Sequence, residues 1–289
     1  MIFRIALTFL FLIGTFNPET DRSTAYAQQG EQLLPDPGVV SYTFRNQFSE
    51  DTPGTLDMIK EMGITNIEFS NLFGYSAQEM RQMLDERGMI ATSYGVSYDA
   101  LVNNTEEVAE DALTLGAKFV RVAWIPHDGE FDIEDTRRAI RDFTEAGKIL
   151  SEHGIQFAYH NHGYEFRPYG DGTLYDYMVQ NSDPEYVNFQ IDTFWVAQPG
   201  HDPVEVLRSY PDRILLVHLK DLSHDAEHNY SGRAPSDLDV PLGTGQIDWE
   251  EFLKVAQDSA IEYFYIEDET EDVVERVPRS REYIMSITN

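Results

Sequence analysis

Short runs of β-branched and aromatic residues alternate along the chain with longer segments of helical period, and the alternation repeats eight times. The strand-like runs are Val39–Thr43, Asn66–Ser70, Ile90–Gly95, Phe119–Trp124, Gln156–Asn161, Val187–Asp192, Ile214–Leu219 and Tyr263–Glu267. Helical period recurs over Thr55–Met62, Ala77–Arg87, Glu106–Leu115, Ile133–His153, Leu174–Gln180, Pro203–Ser209, Trp249–Asp258 and Val273–Ile287. Gly63, Gly88, Gly116 and Gly154 each follow a helical stretch, where a left-handed C-cap suits glycine. Asp248 with Glu251 three residues on resembles a capping box opening the Trp249 helix. Strand and helix in turn, without runs of hairpins, predict a parallel sheet, and eight such units can close it into a single (β/α)8 TIM barrel. An open doubly wound sheet is the structural alternative; no G-x-G-x-x-G follows the first strand to favour its dinucleotide-binding form.

The last four strand-like runs end on side chains that can bind a metal. His160 and His162 close the fifth, Asp192 the sixth, His218 the seventh and Glu267 the eighth. Chemistry in a parallel barrel is built at the C-terminal ends of its strands. Singly, each residue has a plain structural use: Asp192 as a helix cap, His218 as a core histidine, Glu267 as a solvated loop acid. Together they point to a site, because polar groups in a barrel mouth are costly unless paired or coordinated. Mixed histidine and carboxylate ligands suit one divalent ion such as Mn²⁺, Co²⁺, Zn²⁺ or Mg²⁺.

Two further features bound the setting. Arg4 precedes an almost wholly apolar stretch, Ile5 to Phe16, and Ala25-Tyr26-Ala27 precedes Gln28, so residues 1–27 read as a cleavable signal peptide and residues 28–289 as one barrel domain. The apolar stretch falls short of the roughly 20 residues a membrane span needs. The expected location is the periplasm or the exterior, with no membrane attachment after cleavage. There is no cysteine, hence no disulfide framework. The 51 acidic residues against 21 basic ones leave a formal charge of −30, which repels nucleic acid and anionic membranes. Neither is expected as a partner; a small molecule is.

The chain resembles the xylose-isomerase-like TIM barrels known as sugar phosphate isomerases/epimerases. The resemblance runs roughly from Val39 to Ile287 and rests on Tyr159-His160-Asn161-His162-Gly163-Tyr164-Glu165-Phe166, Asp192-Thr193-Phe194-Trp195, His218-Leu219-Lys220-Asp221, Gly243-Thr244-Gly245-Gln246-Ile247-Asp248-Trp249 and Tyr265-Ile266-Glu267. It implies one divalent metal held by a Glu, an Asp, a His and a second Glu, and Asp192, His218 and Glu267 match three of these. The fifth strand departs from the pattern: His160 stands in the aligned place and Glu165 lies five residues on. We expect Glu165 as the fourth ligand, able to reach back over the mouth, with His160 as the competing candidate. The implied reaction is proton abstraction next to a carbonyl through a metal-stabilised enediolate. Glu165, Glu267, His162 and Lys220 are the catalytic candidates; Glu68, Trp124, His160, His162, Trp195 and Lys220 are the substrate-binding ones, with Phe194 as a further apolar face. Gly243-Thr244-Gly245 resembles a phosphate cradle weakly, without a Walker lysine.

The implied activity is that of an exported metal-dependent sugar isomerase or epimerase. A lyase or dehydratase eliminating a β-substituent from a keto-sugar or 3-keto-glycoside uses the same enolate and is the alternative. A sugar-binding protein would not need the metal constellation. A DNA-repair endonuclease on this barrel would want more ligands and a basic groove.

Overall fold

The computed structural model describes residues 35–288; the candidate signal peptide lies outside the described residues. Eight parallel strands close a barrel: β1 (Gly38–Val40), β2 (Asn66–Phe69), β3 (Ile90–Gly95), β4 (Phe119–Val122), β5 (Gln156–His160), β6 (Asn188–Asp192), β7 (Ile214–Leu219) and β8 (Tyr263–Ile266). Each pairs with its neighbours in sequence, and β8 returns to β1 through Gly38↔Tyr265 and Val39↔Ile266. The (β/α)8 reading is the fold observed.

Eight helices return the chain to the start of the next strand or close the barrel's outer ring: α1 (Thr52–Glu61), α2 (Ala77–Arg87), α3 (Thr105–Leu115), α4 (Ile133–Glu152), α5 (Leu174–Asn181), α6 (Pro203–Ser209), α7 (Trp249–Ala256) and α8 (Val273–Ile287). Their starts have local causes. Ser76 with Glu79, Asp132 with Asp135 and Thr173 with Asp176 form reciprocal capping boxes, and the Asp51 carboxylate accepts from Gly54 N at 3.0 Å with Pro53 in the first turn. The chain differs from its periodic reading after β1. Val40 ends that strand, and Ser41–Phe44 and Arg45–Glu50 turn helically before α1.

The core has two parts. Side chains pointing outward from the strands pack under the helices; Tyr159 of β5, for example, meets Phe143 of α4 at 5.2 Å between ring centroids. Inside the barrel, Val40, Phe119, Ala158, Leu216 and Tyr265 fill a smaller apolar plug. Above this plug, toward the C-terminal strand ends, the interior becomes polar. Among the described residues no helix is long and apolar enough to cross a membrane.

Beyond β7 the chain makes a long excursion over the mouth. Its ends are clamped by an antiparallel pairing of Asp221–Leu222 with Asp239–Val240. The buried Asp221 carboxylate then accepts from Gly243 N (2.9 Å), Gly245 N (3.1 Å) and Trp249 Nε1 (2.9 Å), so these glycine N–H groups are engaged and do not form a phosphate cradle.

Candidate active site

Alternation along a strand sends His160, Gln190, Asp192 and His218 into the barrel, and the parallel register sets Asp192 beside His218 and His160 beside Gln190. All four are buried. One ligand atom each from His160, Asp192 and His218 lies within 4.8 Å of the others. His160 Nε2 is 3.9 Å and His218 Nδ1 is 3.7 Å from Asp192 Oδ2, and Glu267 Oε2 contacts His218 Nδ1.

The remaining ring nitrogens are occupied from behind. His218 Nε2 lies 2.6 Å from Glu68 Oε1, and His160 Nδ1 lies 3.0 Å from Gln190 Oε1, whose amide nitrogen donates to Glu68 Oε2 at 2.8 Å. Arg121 Nε donates to Glu68 at 2.6 Å. A carboxylate so bound tethers both imidazoles, directly or through one amide, and turns His160 Nε2 and His218 Nδ1 toward Asp192. Burial raises the Glu68 pKa, but Arg121 and His218 prevail and bring it down to about 2. Asp192 Oδ2 is buried without any hydrogen-bond donor, while Oδ1 accepts from Trp195 N at 3.0 Å and caps the short helix Thr193–Ala197. The sixth-strand aspartate thus serves as both cap and candidate ligand. An orphaned carboxylate oxygen facing two oriented imidazole nitrogens fits a divalent cation.

The structure places the two glutamates in doubt away from their expected posts. Glu68 does not line the substrate cavity; it is fully buried behind His218 and Gln190. Glu165 does not reach the cluster. Gly163, at φ +89°, turns the chain outward, and Glu165 takes a hydrogen bond from the outward-facing Tyr159 hydroxyl and two longer ones from His162 N, at 3.0 and 3.1 Å. It lies on the helix side of β5, outside the group of His160, Asp192 and His218 that could hold an ion. Glu165 holds the His162–Tyr164 turn instead. Burial without a cation pushes its pKa up to about 7, opposed by the Tyr159 hydrogen bond. A carboxyl raised in the folded state keeps stability below about pH 4.5 and loses it as pH rises through 7. Metal-free protein is therefore expected to lose on the order of 3 kcal/mol relative to Glu165→Gln across that window. Parallel stability profiles in urea titrations at pH 4.5 and 8 would remove this role.

A cavity of about 490 Å³ opens above the cluster. His160, His162, His218, Lys220 and Glu267 line it, with Trp124, Phe194 and Trp195 as aromatic walls. His162 stacks on Trp195 (5.2 Å between centroids) and meets Trp124 edge-on (5.6 Å). Burial pushes the His162 pKa down to about 3, so its ring is a neutral imidazole, and Nδ1 has no hydrogen-bond partner. Lys220 Nζ bonds Glu267 Oε1 at 3.3 Å and contacts Glu269. Burial opposes its charge, but Glu267, Glu269 and Asp239 hold its pKa well above the usual lysine value.

Sequence reasoning missed Gln190, Arg121, Glu269, Asp239 and Arg233. Gln190 precedes Asp192 by two residues and Arg121 lies on β4, so strand parity could have found both; Glu269 and Arg233 come from loops, and Asp239 from the short pairing that clamps the excursion after β7.

Residues 56–287 match the Xylose isomerase-like TIM barrel family. An inosose dehydratase of Geobacillus kaustophilus is 27% identical over 217 residues, covering 61% of this chain and 67% of that protein. A sugar phosphate isomerase/epimerase structure from Parabacteroides distasonis superposes with a TM-score of 0.72 at 22% identity, covering 88% of this chain and 95% of that one. A structure of IOLI protein with a bound zinc atom has a TM-score of 0.67 at 15% identity, covering 88% and 96%. The family match runs from within α1 to the end of α8, and the chain belongs to the xylose isomerase-like TIM barrel family.

Proposed function

We propose that this protein is a metal-assisted lyase that eliminates a β-substituent from a keto-sugar or keto-glycoside. The observation that carries the reading is the fifth strand. Exchange of a proton between two facing carboxylates needs a second glutamate beside the ligands, and here β5 contributes the imidazole of His160 while Glu165 points outward to Tyr159. The likeness to inosose dehydratases supports the same direction.

His160, Asp192, His218 and Glu267 would hold the ion. A divalent cation there supplies Lewis-acid polarisation of a carbonyl oxygen, and Mn²⁺, Co²⁺, Zn²⁺ and Mg²⁺ all remain compatible with the ligands. His162 presents a neutral imidazole at the cavity wall and is the base that would take the carbon-bound proton. Lys220, kept as an ammonium by Glu267 and Glu269, donates hydrogen bonds to oxygen that gains negative charge, whether on the substrate or on the departing group. Trp124, Phe194 and Trp195 wall the cavity with apolar surface and exclude water.

The test is NMR product analysis in D₂O with a panel of keto-sugars, inososes and 3-keto-glycosides. Release of water or of the aglycone with formation of an unsaturated ketone is expected. Deuterium incorporation with the substituent retained would instead mean an isomerase or epimerase, and tight binding without any change would mean a sugar-binding protein.

A further inference from the structure

Three lysine or arginine side chains line the cavity, and two of them are neutralised: Arg121 by Glu68, at 2.6 Å, and Lys220 by Glu267 and Glu269. The third, Arg233, has no carboxylate partner among the described residues, in a chain of net charge −30. The residue is exposed at the cavity rim, yet its position is tied down. Its guanidinium lies 5.4 Å from the centre of the Trp124 ring, and Ser231 Oγ pins its backbone by accepting from Arg233 N (3.1 Å) and donating to Arg233 O (2.9 Å).

The preceding residue fixes where this arginine stands. Gly232 has φ +65°, and a Cβ there would meet Tyr164 Cδ1 at 2.6 Å and Trp124 Cζ3 at 3.2 Å. Only glycine lets the loop seat this tightly against the aromatic wall. Farther back, Asn229 N donates to Gln198 O at 3.2 Å, and Gln198 Nε2 returns a bond to Glu227 O at 3.1 Å. The loop is therefore docked at its tip and flank as well as clamped at its ends.

The geometry points to an anion subsite at the cavity rim, in which Arg233, held over the Trp124 ring, receives a carboxylate carried by the substrate. This rests on the keto-glycoside reading above and narrows its substrate class to acidic sugars or glycosides with an acidic aglycone. A guanidinium held over an indole within cation–π reach, with no carboxylate on it, keeps N–H groups for a bidentate oxyanion. One uncompensated positive charge matches a monoanion. A phosphate, near two negative charges at neutral pH, would leave excess negative charge in an already acidic molecule.

The test measures binding, not turnover. Calorimetric titration of the full-length, zinc-loaded protein with methyl β-D-glucuronide and methyl β-D-glucoside compares a carboxylate with its neutral counterpart. The glucuronide is expected to bind about tenfold or more tightly. Arg233→Gln should bring the two within about twofold, while Arg233→Lys keeps part of the preference because charge survives without the planar fork. Equal binding by the wild type, no detectable glucuronide binding, or a preference that persists in Arg233→Gln overturns the proposal. Neither probe carries a keto group, so the result is independent of elimination. A glucuronide preference beside a negative product assay would reject the lyase reading and keep the subsite.

Discussion

His160→Gln is expected to lose its divalent metal, while Glu165→Gln keeps a full equivalent. His160 Nε2 faces the orphaned Asp192 Oδ2 at 3.9 Å with its other nitrogen tied to Gln190. Removing that imidazole takes away a donor already oriented for the ion. The loss of affinity should exceed the roughly 10–100-fold that follows loss of an outer-shell partner. Glu165 is separated from the cluster by the β5 backbone, so its amide variant should bind metal as the wild type does. Equilibrium dialysis followed by elemental analysis reads both. A metal-free Glu165→Gln beside a loaded His160→Gln would reverse the assignment.

Glu68→Ala should be the most destabilising change at the site. The carboxylate is fully buried and serves Arg121, Gln190 and His218 at 2.6, 2.8 and 2.6 Å. Without it the Arg121 guanidinium remains inside the barrel with no carboxylate partner, a situation that costs about 3–5 kcal/mol. At this chain length the melting temperature should fall on the order of 10 °C. Metal affinity should also drop by about 10–100-fold, since both imidazoles lose their tether. Thermal unfolding with and without zinc separates the two effects. A melting temperature within about 2 °C of wild type would show that Glu68 is not the hub of this network.

The barrel was legible because its evidence is local. Runs ending in His160, Asp192, His218 and Glu267 fall where strands end, and strand parity sends the first three inward. What escaped sequence reading depends on chain direction after a strand or on partners far along the chain. Glu165 was expected to fold back over the mouth, but the left-handed Gly163 turns it to the Tyr159 hydroxyl, and six residues of sequence do not reveal which way such a turn runs. For Glu68 a sugar hydroxyl and a structural hydrogen bond were equal candidates, and the structure shows the second. Its strand position alone is silent on Arg121 and His218, which arrive from β4 and β7 and enclose it. Arg233 and Glu269 sit in loops and Asp239 in a two-residue pairing, with no periodicity to place them, and only the docking of Gly232 against Trp124 brings Arg233 to the cavity.

The proposal that four strand ends converge on one ion is tested most directly by anomalous diffraction from zinc-loaded crystals. A single peak is expected about 2.0–2.1 Å from His160 Nε2 and from His218 Nδ1, with oxygens of Asp192 and Glu267 completing the shell. A peak beside Glu165, ligation through His218 Nε2 in place of Nδ1, or no peak between β5 and β8 would contradict it.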